Sequence, residues 1–444
     1  MEQNTELLDK IRKQFDFEPY PSTPLETSPK DDIQRLYTHN ITTAYYLRNK
    51  KVINPAGKVI LDAGCGSGYK SLALAHANPG AKIVGIDLSE KSVELARLRL
   101  QHHGFDNVEF FAISINDLPS LNLEFDYINC DEVLYLMPSI EEALEIMASV
   151  LKPDGILRAN LHSALQRTSY FRAQQLFSMM GLMDDNPEEM EIDIVKEIFK
   201  SLKQETLMKA MVRIDVENPE NKTDVLMNYL LQGDRGYTVP ELFAALNQAN
   251  LEFISMVNLW QWDLKSLFEE PDNLPVFLSL ALPEATIEEQ LRMFELIHPV
   301  NRLLDFWCGH GEGGQSFIPV TEWSDADWQK ATIHLHPQMK TEQLKEELQQ
   351  CFQQLRPFPI SKYLPIPGRP ESFLETTVAA CLMLPLLESP QSMAALVEQW
   401  LRLQPVDLET LTPNQPEAVF KRLQGLLTGL ENFGFILLEL PSEK

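Results

Sequence analysis

The feature that most constrains this chain is a glycine-rich turn directly after a short apolar run. The run from Val59 to Asp62 is a strand candidate, and it leads into Gly64, Gly66 and Gly68, after which a helical pattern begins. Glycine is needed where the backbone adopts unusual φ/ψ values or where a ligand touches the main chain. The free amide groups at the start of the next helix can meet polar ligand atoms. The pattern therefore predicts a strand, a ligand-binding loop and a helix in succession.

The spacing of the glycines and the acids around them narrow the class of ligand. The glycines follow GxGxG, whereas dinucleotide-binding loops follow GxGxxG. Asp62 precedes the glycines, and a carboxylate there repels a diphosphate but suits the positive charges of a methionine-like group. A second strand candidate, Lys82–Asp87, ends in a carboxylate that can accept both hydroxyls of a ribose. These features predict a nucleoside ligand with a cationic amino-acid part and no phosphate.

Short apolar runs alternate with helical segments along this part of the chain. Further strand candidates are Val108–Phe111, Phe125–Cys130 and Ile156–Asn160. The helix candidates between the strands are Tyr69–Ala77, Ser89–Gly104 and Ile140–Leu151. Strands rich in Val, Ile and Phe that alternate with helices of about 10–15 residues indicate βαβ units. The predicted fold class is α/β, with a Rossmann-like parallel sheet.

The alternation is interrupted after the fifth strand candidate. Residues 164–232 read as helical, and a helix at Thr238–Ala249 followed by a strand at Leu251–Val257 resumes the pattern. The interruption is predicted to be a helical insertion just beyond the carboxyl end of a strand, where ligands bind in open α/β sheets. The insertion either roofs a substrate pocket or is a stabilising addition without such a role.

Several segments resemble the class I S-adenosylmethionine-dependent methyltransferases, in an uncharacterised bacterial branch. They are DAGCGSG, GID, LPSLNLEFDYINCDEVLYLMP and LKPDG, and the resemblance is best from Val59 to Asn160. It implies S-adenosyl-L-methionine as the cofactor. It places Asp62, Gly64, Cys65, Gly66 and Gly68 beside the methionine part, and Asp87 with Leu88 at the ribose. The segment Ile113–Leu118, which includes the cofactor-site candidate Ile115, would flank the adenine, and either Ser114 or Asp117 would read its amine.

Candidate catalytic residues follow the fourth and fifth strands. Asp131 and Glu132 can orient an amine or take a proton from a hydroxyl, and Asp131 is also a candidate cofactor ligand. Tyr135 and His162 are the other candidates, and the alternative is that these side chains only cap turns or complete local hydrogen bonds. In similar enzymes an N-terminal helix covers the cofactor, which suggests Tyr37, although an aromatic at helical spacing is commonly a core residue.

The domain organisation follows from these patterns. Residues 1–50 are predicted to be an N-terminal arm and cap helix, and residues 51–308 the methyltransferase domain with its insertion at about 164–232. Residues 309–444 are predicted to be a smaller α+β domain of unknown role, and a winged-helix-like unit is one interpretation of it. Two metal-ligand patterns, His334-x-His336 and Cys308-x-His310, lack further ligands nearby, so no metal is predicted.

Charge and cysteine content limit partners and location. The formal net charge is −26, from 64 acidic and 38 basic residues, which argues against nucleic acid as a partner. The 5 cysteines are never spaced as CxxC, and no apolar run is long enough to span a membrane. We therefore expect a cytoplasmic enzyme without membrane partners that methylates O, N or C of a small molecule. A protein or peptide methyltransferase and a non-catalytic S-adenosylmethionine-binding scaffold are the alternatives.

Overall fold

The computed structural model describes residues 2–211, 222–364, 370–407 and 410–441, which form two compact units. The first unit comprises Met1–Ser28, Gly57–Ala75 and Gly80–Gly313. The second comprises Pro29–Ala56, His76–Pro79 and Gly314–Lys444. Each unit has a hydrophobic core of its own. The domain limits at residues 50 and 308 drawn from the sequence stay a prediction.

The strands and helices confirm the mixed α/β fold class. In chain order the strands are β1 Val59–Ala63, β2 Lys82–Asp87, β3 Val108–Ala112, β4 Phe125–Cys130, β5 Leu151–Ser163, β6 Gly236–Tyr237, β7 Leu251–Met256, β8 Leu303–His310, β9 Thr332–Leu335, β10 Gln391–Ser392 and β11 Ile436–Glu439. The α-helices are α1 Glu2–Phe17, α2 Ile33–His39, α3 Ile41–Asn49, α4 Tyr69–Ala77, α5 Glu90–His102, α6 Ile140–Ser149, α7 Thr168–Met179, α8 Glu189–Ser201, α9 Leu207–Met211, α10 Lys222–Tyr229, α11 Val239–Gln248, α12 Val276–Ala281, α13 Ile287–Ile297, α14 Asp325–Lys330, α15 Glu342–Gln354, α16 Thr376–Glu388, α17 Met393–Leu403 and α18 Pro416–Asn432.

The strand order of the sheet in the first unit indicates at which point of its edge a ligand binds. Over the described residues its strand order is β3-β2-β1-β4-β5-β8-β7, with β6 paired to β5. The strands from β1 to β6 pair in parallel, and β8 pairs antiparallel with both β5 and β7. The chain reverses its direction of winding between β1 and β4, and open α/β sheets bind ligands at such a switch point. The glycine turn follows β1 at this point.

Two elements differ from the sequence-based expectation. Strand β8 was not predicted, because Asp305 lies within its apolar run, and the structure pairs that carboxylate with Arg158 of β5. Strand β5 begins at Leu151, five residues before the predicted start, through a Lys-Pro-Asp-Gly stretch that has turn-forming composition. The predictions for β5 and β8 both fail at turn-forming or charged residues, which the structure accommodates by pairing with a neighbouring strand.

The predicted helical insertion is confirmed over the residues that the structure describes. Helices α7, α8 and α10 share a small apolar core, which includes Phe177, Phe199 and Tyr229. Residues 212–221 of the predicted range lie outside the described residues. Because the insertion has its own core, it forms a distinct layer of the first unit.

The second unit contains the smaller sheet that the sequence predicted. Its strand order is β10-β9-β11, with antiparallel pairing, and α15 to α18 pack around it. The imidazole of His336 is buried and lies 3.0 Å from the Thr43 hydroxyl, while that of His334 lies 3.6 Å from Glu439. Among the described residues no cluster of metal-ligating side chains is found, and no helix is long and apolar enough to cross a membrane.

Candidate functional site

A cavity of about 830 Å³ lies at the carboxyl edge of the sheet in the first unit. The sequence-predicted residues that line it are Gly64, Cys65, Gly66, Asp87, Leu88, Ser114, Ile115, Asp131 and Glu132. They follow β1, β2, β3 and β4, so the parallel strands bring them to one place.

Gly66 and Asp87 form the centre of the loop. One Asp87 carboxylate oxygen accepts a hydrogen bond from the Gly66 amide at 2.9 Å, and the other accepts one from the Ser89 amide at 2.9 Å. Gly66 has φ +50°, and a β-carbon there would lie 2.2 Å from the carbonyl oxygen of Tyr20. Only glycine fits this position without moving the neighbouring chain.

Asp62 and Gly68 are not among the described residues that line the cavity. They act on the loop through contacts with neighbouring helices and strands. The Asp62 carboxylate is buried and accepts hydrogen bonds from Ser71 at 2.6 Å and from Asn129 at 2.8 Å. A β-carbon at Gly68 would lie 2.6 Å from the α-carbon of Ala96 in α5. Asp62 therefore fixes β1 to its neighbours, and Gly68 allows the loop to pack closely on α5.

A buried cation lies beside the loop, and the sequence analysis did not single it out. The ammonium of Lys70, in the first turn of α4, is 3.1 Å from the Asp131 carboxylate and donates to the Asp131 carbonyl at 2.9 Å. Burial lowers the pKa of Lys70, but the negative charges of Asp131 and Glu132 outweigh this effect and hold the pKa above its usual range. Lys70 and Asp131 thus place one positive and one negative group side by side in the cavity wall.

Glu132 adopts a backbone conformation that is uncommon for a residue other than glycine. Its φ is +62°, and its amide donates to the Asn160 side chain at 2.7 Å. Its carboxylate pairs with the guanidinium of Arg302. Burial raises the pKa of Glu132, but Lys70 and Arg302 outweigh this effect and leave it below its ordinary value. The carboxylate is therefore ionised at neutral pH, and such strained backbones cluster at functional sites.

Tyr135 and His162 lie behind Glu132 and do not belong to the described cavity lining. Their rings stack at 3.7 Å, and the His162 Nδ1 atom lies 2.6 Å from the buried carboxylate of Asp234. Arg302 approaches the other ring nitrogen, Nε2, at 3.2 Å. Burial lowers the pKa of His162 despite the hydrogen bond with Asp234, so the ring is neutral at pH 7. The two residues are placed to hold Arg302 against Glu132.

Two other predicted cofactor residues are not brought to the cavity. Asp117 is exposed in the first turn of a short 3-10 helix, whereas the Ser114 side chain caps that helix and lines the cavity. Tyr37 belongs to the second unit, where it lies in the core and contacts the His336 ring at 5.8 Å. Tyr37 is therefore a core residue of the second unit, which was the alternative to a cofactor role.

The cavity is covered by residues that the sequence analysis had treated as an arm. Helix α1 contributes an apolar face, and the extended chain after it contributes two more residues; the set is Leu8, Ile11, Arg12, Phe15, Tyr20 and Pro21. None of the described residues of the insertion lines the cavity. Of the two interpretations of the insertion, the stabilising addition therefore agrees with this cavity, and the roof does not. The apolar positions of α1 are the feature of the sequence from which this cover could be predicted.

Comparison with known families agrees with this geometry. A family model described as a methyltransferase domain matches residues 54–222, the range that contains β1 to β5 and the loop. The chain therefore carries a methyltransferase domain over residues 54–222. Its structure is similar to that of PKMT2 from Rickettsia typhi in complex with AdoHcy, with a TM-score of 0.58, 17% identity, and coverage of 96% of this chain and 78% of the other.

Relatives in sequence include proteins with and without an assigned activity. An uncharacterised protein of Synechococcus sp. is 27% identical over 70% of this chain and 73% of its own length. The ubiquinone biosynthesis O-methyltransferase of Thiobacillus denitrificans is 41% identical over 22% of this chain. The chain spans 42% of the length of that enzyme and 51% of its counterpart from Azoarcus sp..

The residues of the methyltransferase domain fit the cofactor. The side-by-side charges of Lys70 and Asp131 match the carboxylate and ammonium of an amino acid. The Asp87 carboxylate offers acceptors for ribose hydroxyls, and Leu88, Ile113 and Ile115 offer apolar walls for a base. Gly64, Cys65 and Gly66 of the loop also line the cavity, so a bound ligand can approach the loop backbone.

We expect Gly66→Ala to weaken binding of S-adenosylhomocysteine at least about fivefold. The new β-carbon must displace the Tyr20 carbonyl and hold a positive φ, which together cost about 1–3 kcal/mol. Calorimetric titration measures the affinity, and circular dichroism checks that the fold is kept. Gly104→Ala is the control, because Gly104 also has a positive φ but a β-carbon added there would have no atom within 4 Å. Equal affinity of wild type and Gly66→Ala would contradict this role of the loop.

Proposed function

We propose that this chain transfers the methyl group of S-adenosylmethionine to an oxygen, nitrogen or carbon atom of a small molecule. The observation that carries the proposal is a single cavity of about 830 Å³ with both the glycine loop and the acid pair Asp131–Glu132 in its wall. A cavity lined by α1 as well as by the ends of the strands favours a small acceptor over a folded protein. The O-methyltransferases that the domain resembles favour oxygen among the three atoms.

The proposal assigns the cofactor-binding roles within this cavity. Gly64, Cys65 and Gly66 face the methionine part, whose charged ends are met by Lys70 and Asp131. Asp87 with Leu88 holds the ribose, and Ser114 with Ile115 flanks the adenine. Asp62 and Gly68 act from below by shaping the loop. Asp117 and Tyr37 receive no role in the cavity.

The proposal assigns the proton-handling role to Glu132. When bound, S-adenosylmethionine supplies an electrophilic methyl group on a positively charged sulfur with a neutral leaving group. Holding the acceptor in line is a large part of such a reaction. The Glu132 carboxylate accepts a hydrogen bond from the acceptor and takes its proton as the new bond forms. Tyr135 and His162 act through Arg302, which keeps Glu132 ionised and oriented.

A peptide or protein acceptor is the second candidate function, and the net charge of −26 favours it, because an acidic surface attracts basic chains. To distinguish the two functions, capture of basic peptides is compared between the intact chain and a chain without residues 314–444. Loss of capture in the shortened chain would favour the peptide or protein acceptor. The proposal also places the protein in the cytoplasm, since all the cysteines are free buried thiols, which is typical of a reducing compartment.

The deciding experiment is calorimetric titration of the intact chain with S-adenosylmethionine and S-adenosylhomocysteine. We expect micromolar binding, weakened by about 1–3 kcal/mol in Asp87→Ala, the range for hydrogen bonds to a charged group. A panel of small phenols, amines and carboxylic acids, together with basic peptides, is then assayed for transfer of a labelled methyl group. No binding by the intact chain would overturn the proposal and favour a scaffold.

Cofactor affinity is expected to depend on pH through Asp87. Burial raises the pKa of Asp87 to about 6, although the Ser89 and Gly66 amides act in the opposite direction. Ribose hydroxyls donate to the ionised form, so binding favours the carboxylate and weakens as the pH falls through 6. We expect the Kd for S-adenosylhomocysteine to rise about tenfold from pH 7 to pH 5. Asp87→Asn should bind weakly with little pH dependence, and a wild-type Kd that is constant over this range would contradict the assignment.

A further inference from the structure

The N-terminal segment Glu2–Ser28 spans the cavity from one side to the other. Its helix α1 and the chain after it supply lining residues that include Ile11, Phe15 and Tyr20. Ile11 belongs to the main core of the first unit, so the helix is packed inward through its apolar face. The Tyr20 carbonyl of this segment lies directly against Gly66 of the glycine loop.

On one side the segment is bound to the glycine loop. The Tyr20 carbonyl accepts a hydrogen bond from the Ser67 amide at 3.0 Å, and the Pro21 carbonyl accepts one from the Ser67 hydroxyl at 2.7 Å. His103, at the end of α5, lies with its Nε2 atom 3.0 Å from the Leu25 carbonyl. The loop therefore has the segment as a direct neighbour along its length.

Arg99 of α5 joins the loop to the segment through a buried guanidinium. It donates to the Ser67 carbonyl at 2.9 Å, to the Pro24 carbonyl at 2.7 Å and to the Thr23 carbonyl at 2.7 Å. The side chain is almost fully buried, and burial lowers the pKa of Arg99. A buried cation that donates to backbone carbonyls of two separate segments holds them together at a cost in desolvation, which indicates a positional role.

On the other side the segment is bound to the helical insertion. The buried Gln14 side chain donates to the Leu230 carbonyl at 2.9 Å and accepts from the Gln232 amide at 3.0 Å. Lys10 donates to the Asp184 carbonyl at 3.0 Å. The segment thus contacts both the glycine loop and the helical insertion.

We propose that Arg99 is a positioning residue that latches the N-terminal segment over the cavity, and that release of this latch sets the rate at which the cofactor exchanges. The inference rests on the proposed function, because it takes the cavity as the cofactor site. Arg99 contacts backbone groups at Ser67, Thr23 and Pro24, and it acts on the cofactor only through them. The remaining contacts of the segment, through Gln14 and Lys10, keep it attached when the latch is lost.

The test compares Arg99→Met with Arg97→Met in the intact chain. Arg97 is an exposed arginine on the same helix, and its guanidinium donates to the Phe110 carbonyl in β3. Release of S-adenosylhomocysteine is followed by stopped-flow displacement with excess unlabelled ligand. We expect release at least tenfold faster in Arg99→Met and within twofold of wild type in Arg97→Met. Wild-type release from Arg99→Met would overturn the inference.

Limited proteolysis reports the segment without relying on the cofactor. We expect cleavage between residues 18 and 32 to be at least tenfold faster in Arg99→Met than in wild type, and S-adenosylhomocysteine to slow cleavage of wild type. If wild type does not bind the ligand, the proposed function fails, while cleavage rates still decide whether Arg99 is the latch. If Arg99→Met does not fold, His103→Ala, which loses the Leu25 contact, should show a smaller increase of the same sign. Unchanged cleavage in the folded variants overturns the inference.

Discussion

Glu132→Gln is expected to lower kcat by about 10²–10⁴ with any hydroxyl acceptor that the intact chain methylates, the range for loss of a positioned general base. Glutamine keeps the size of the side chain but cannot take a proton. The carboxylate is held ionised by Lys70 and Arg302 and is aimed by a backbone with φ +62°. Single-turnover assays with labelled S-adenosylmethionine measure the chemical step separately from cofactor release.

The control for this prediction is Glu145→Gln, an exposed carboxylate on α6, which should leave kcat unchanged. Affinity for S-adenosylhomocysteine should change less than tenfold in Glu132→Gln, since the proposal gives Glu132 no cofactor contact. A kcat within threefold of wild type would transfer the role to Asp131 or show that the acceptor arrives already deprotonated. The acid limb of the pH–rate profile should move upward in Arg302→Gln, because Glu132 loses a positive neighbour.

Asp305→Ala is expected to reduce the free energy of unfolding of the first unit by about 3–5 kcal/mol, the usual cost of leaving one partner of a buried ion pair without the other. Arg158 donates to the two Asp305 carboxylate oxygens at 3.0 and 2.8 Å across the β5–β8 pair. The guanidinium is buried, so water cannot replace the lost carboxylate. Urea denaturation followed by tryptophan fluorescence measures the loss, because Trp307 lies on β8.

The double variant Arg158→Met/Asp305→Leu should recover most of that stability, since apolar replacement of both partners removes the buried charge. Lys222→Met removes one partner of the exposed Lys222–Glu189 pair and should leave the midpoint of denaturation unchanged. An Asp305→Ala variant with wild-type stability would mean that Arg158 finds another partner. Asn129 and Asp131 are the nearest candidates, at 3.1 and 3.7 Å.

The parts of the site that the sequence predicted are those that follow directly from a strand end. Gly64, Gly66 and Asp87 lie at the ends of adjacent parallel strands, so the chain pattern and the rules of parallel sheets place them together. Lys70 lies two residues beyond the last glycine, where its position in the first turn of α4 was readable. The role of Lys70 was not readable from the sequence, because its partner Asp131 is identified only when the end of β4 is known.

The parts that the sequence did not predict depend on contacts between distant segments. Arg302 and Asp234 reach His162 from positions 140 and 72 residues away, and no spacing in the sequence pairs either of them with it. The N-terminal cover of the cavity uses backbone carbonyls of Tyr20 and Pro21, groups that every residue has. Side-chain patterns carry no information about such contacts, so the sequence does not predict which backbone groups form the cover.

The position of helix α1 has a practical consequence for work with shortened chains. The matched methyltransferase range begins at residue 54, whereas one wall of the cavity is built from residues 8 to 21. A recombinant fragment cut to the matched range would expose the apolar faces of Leu136 and Met137 to water and present an open cleft. Inhibitor screens on that fragment would select compounds for a surface that the intact enzyme keeps covered. Tags are better fused at the opposite end of the chain.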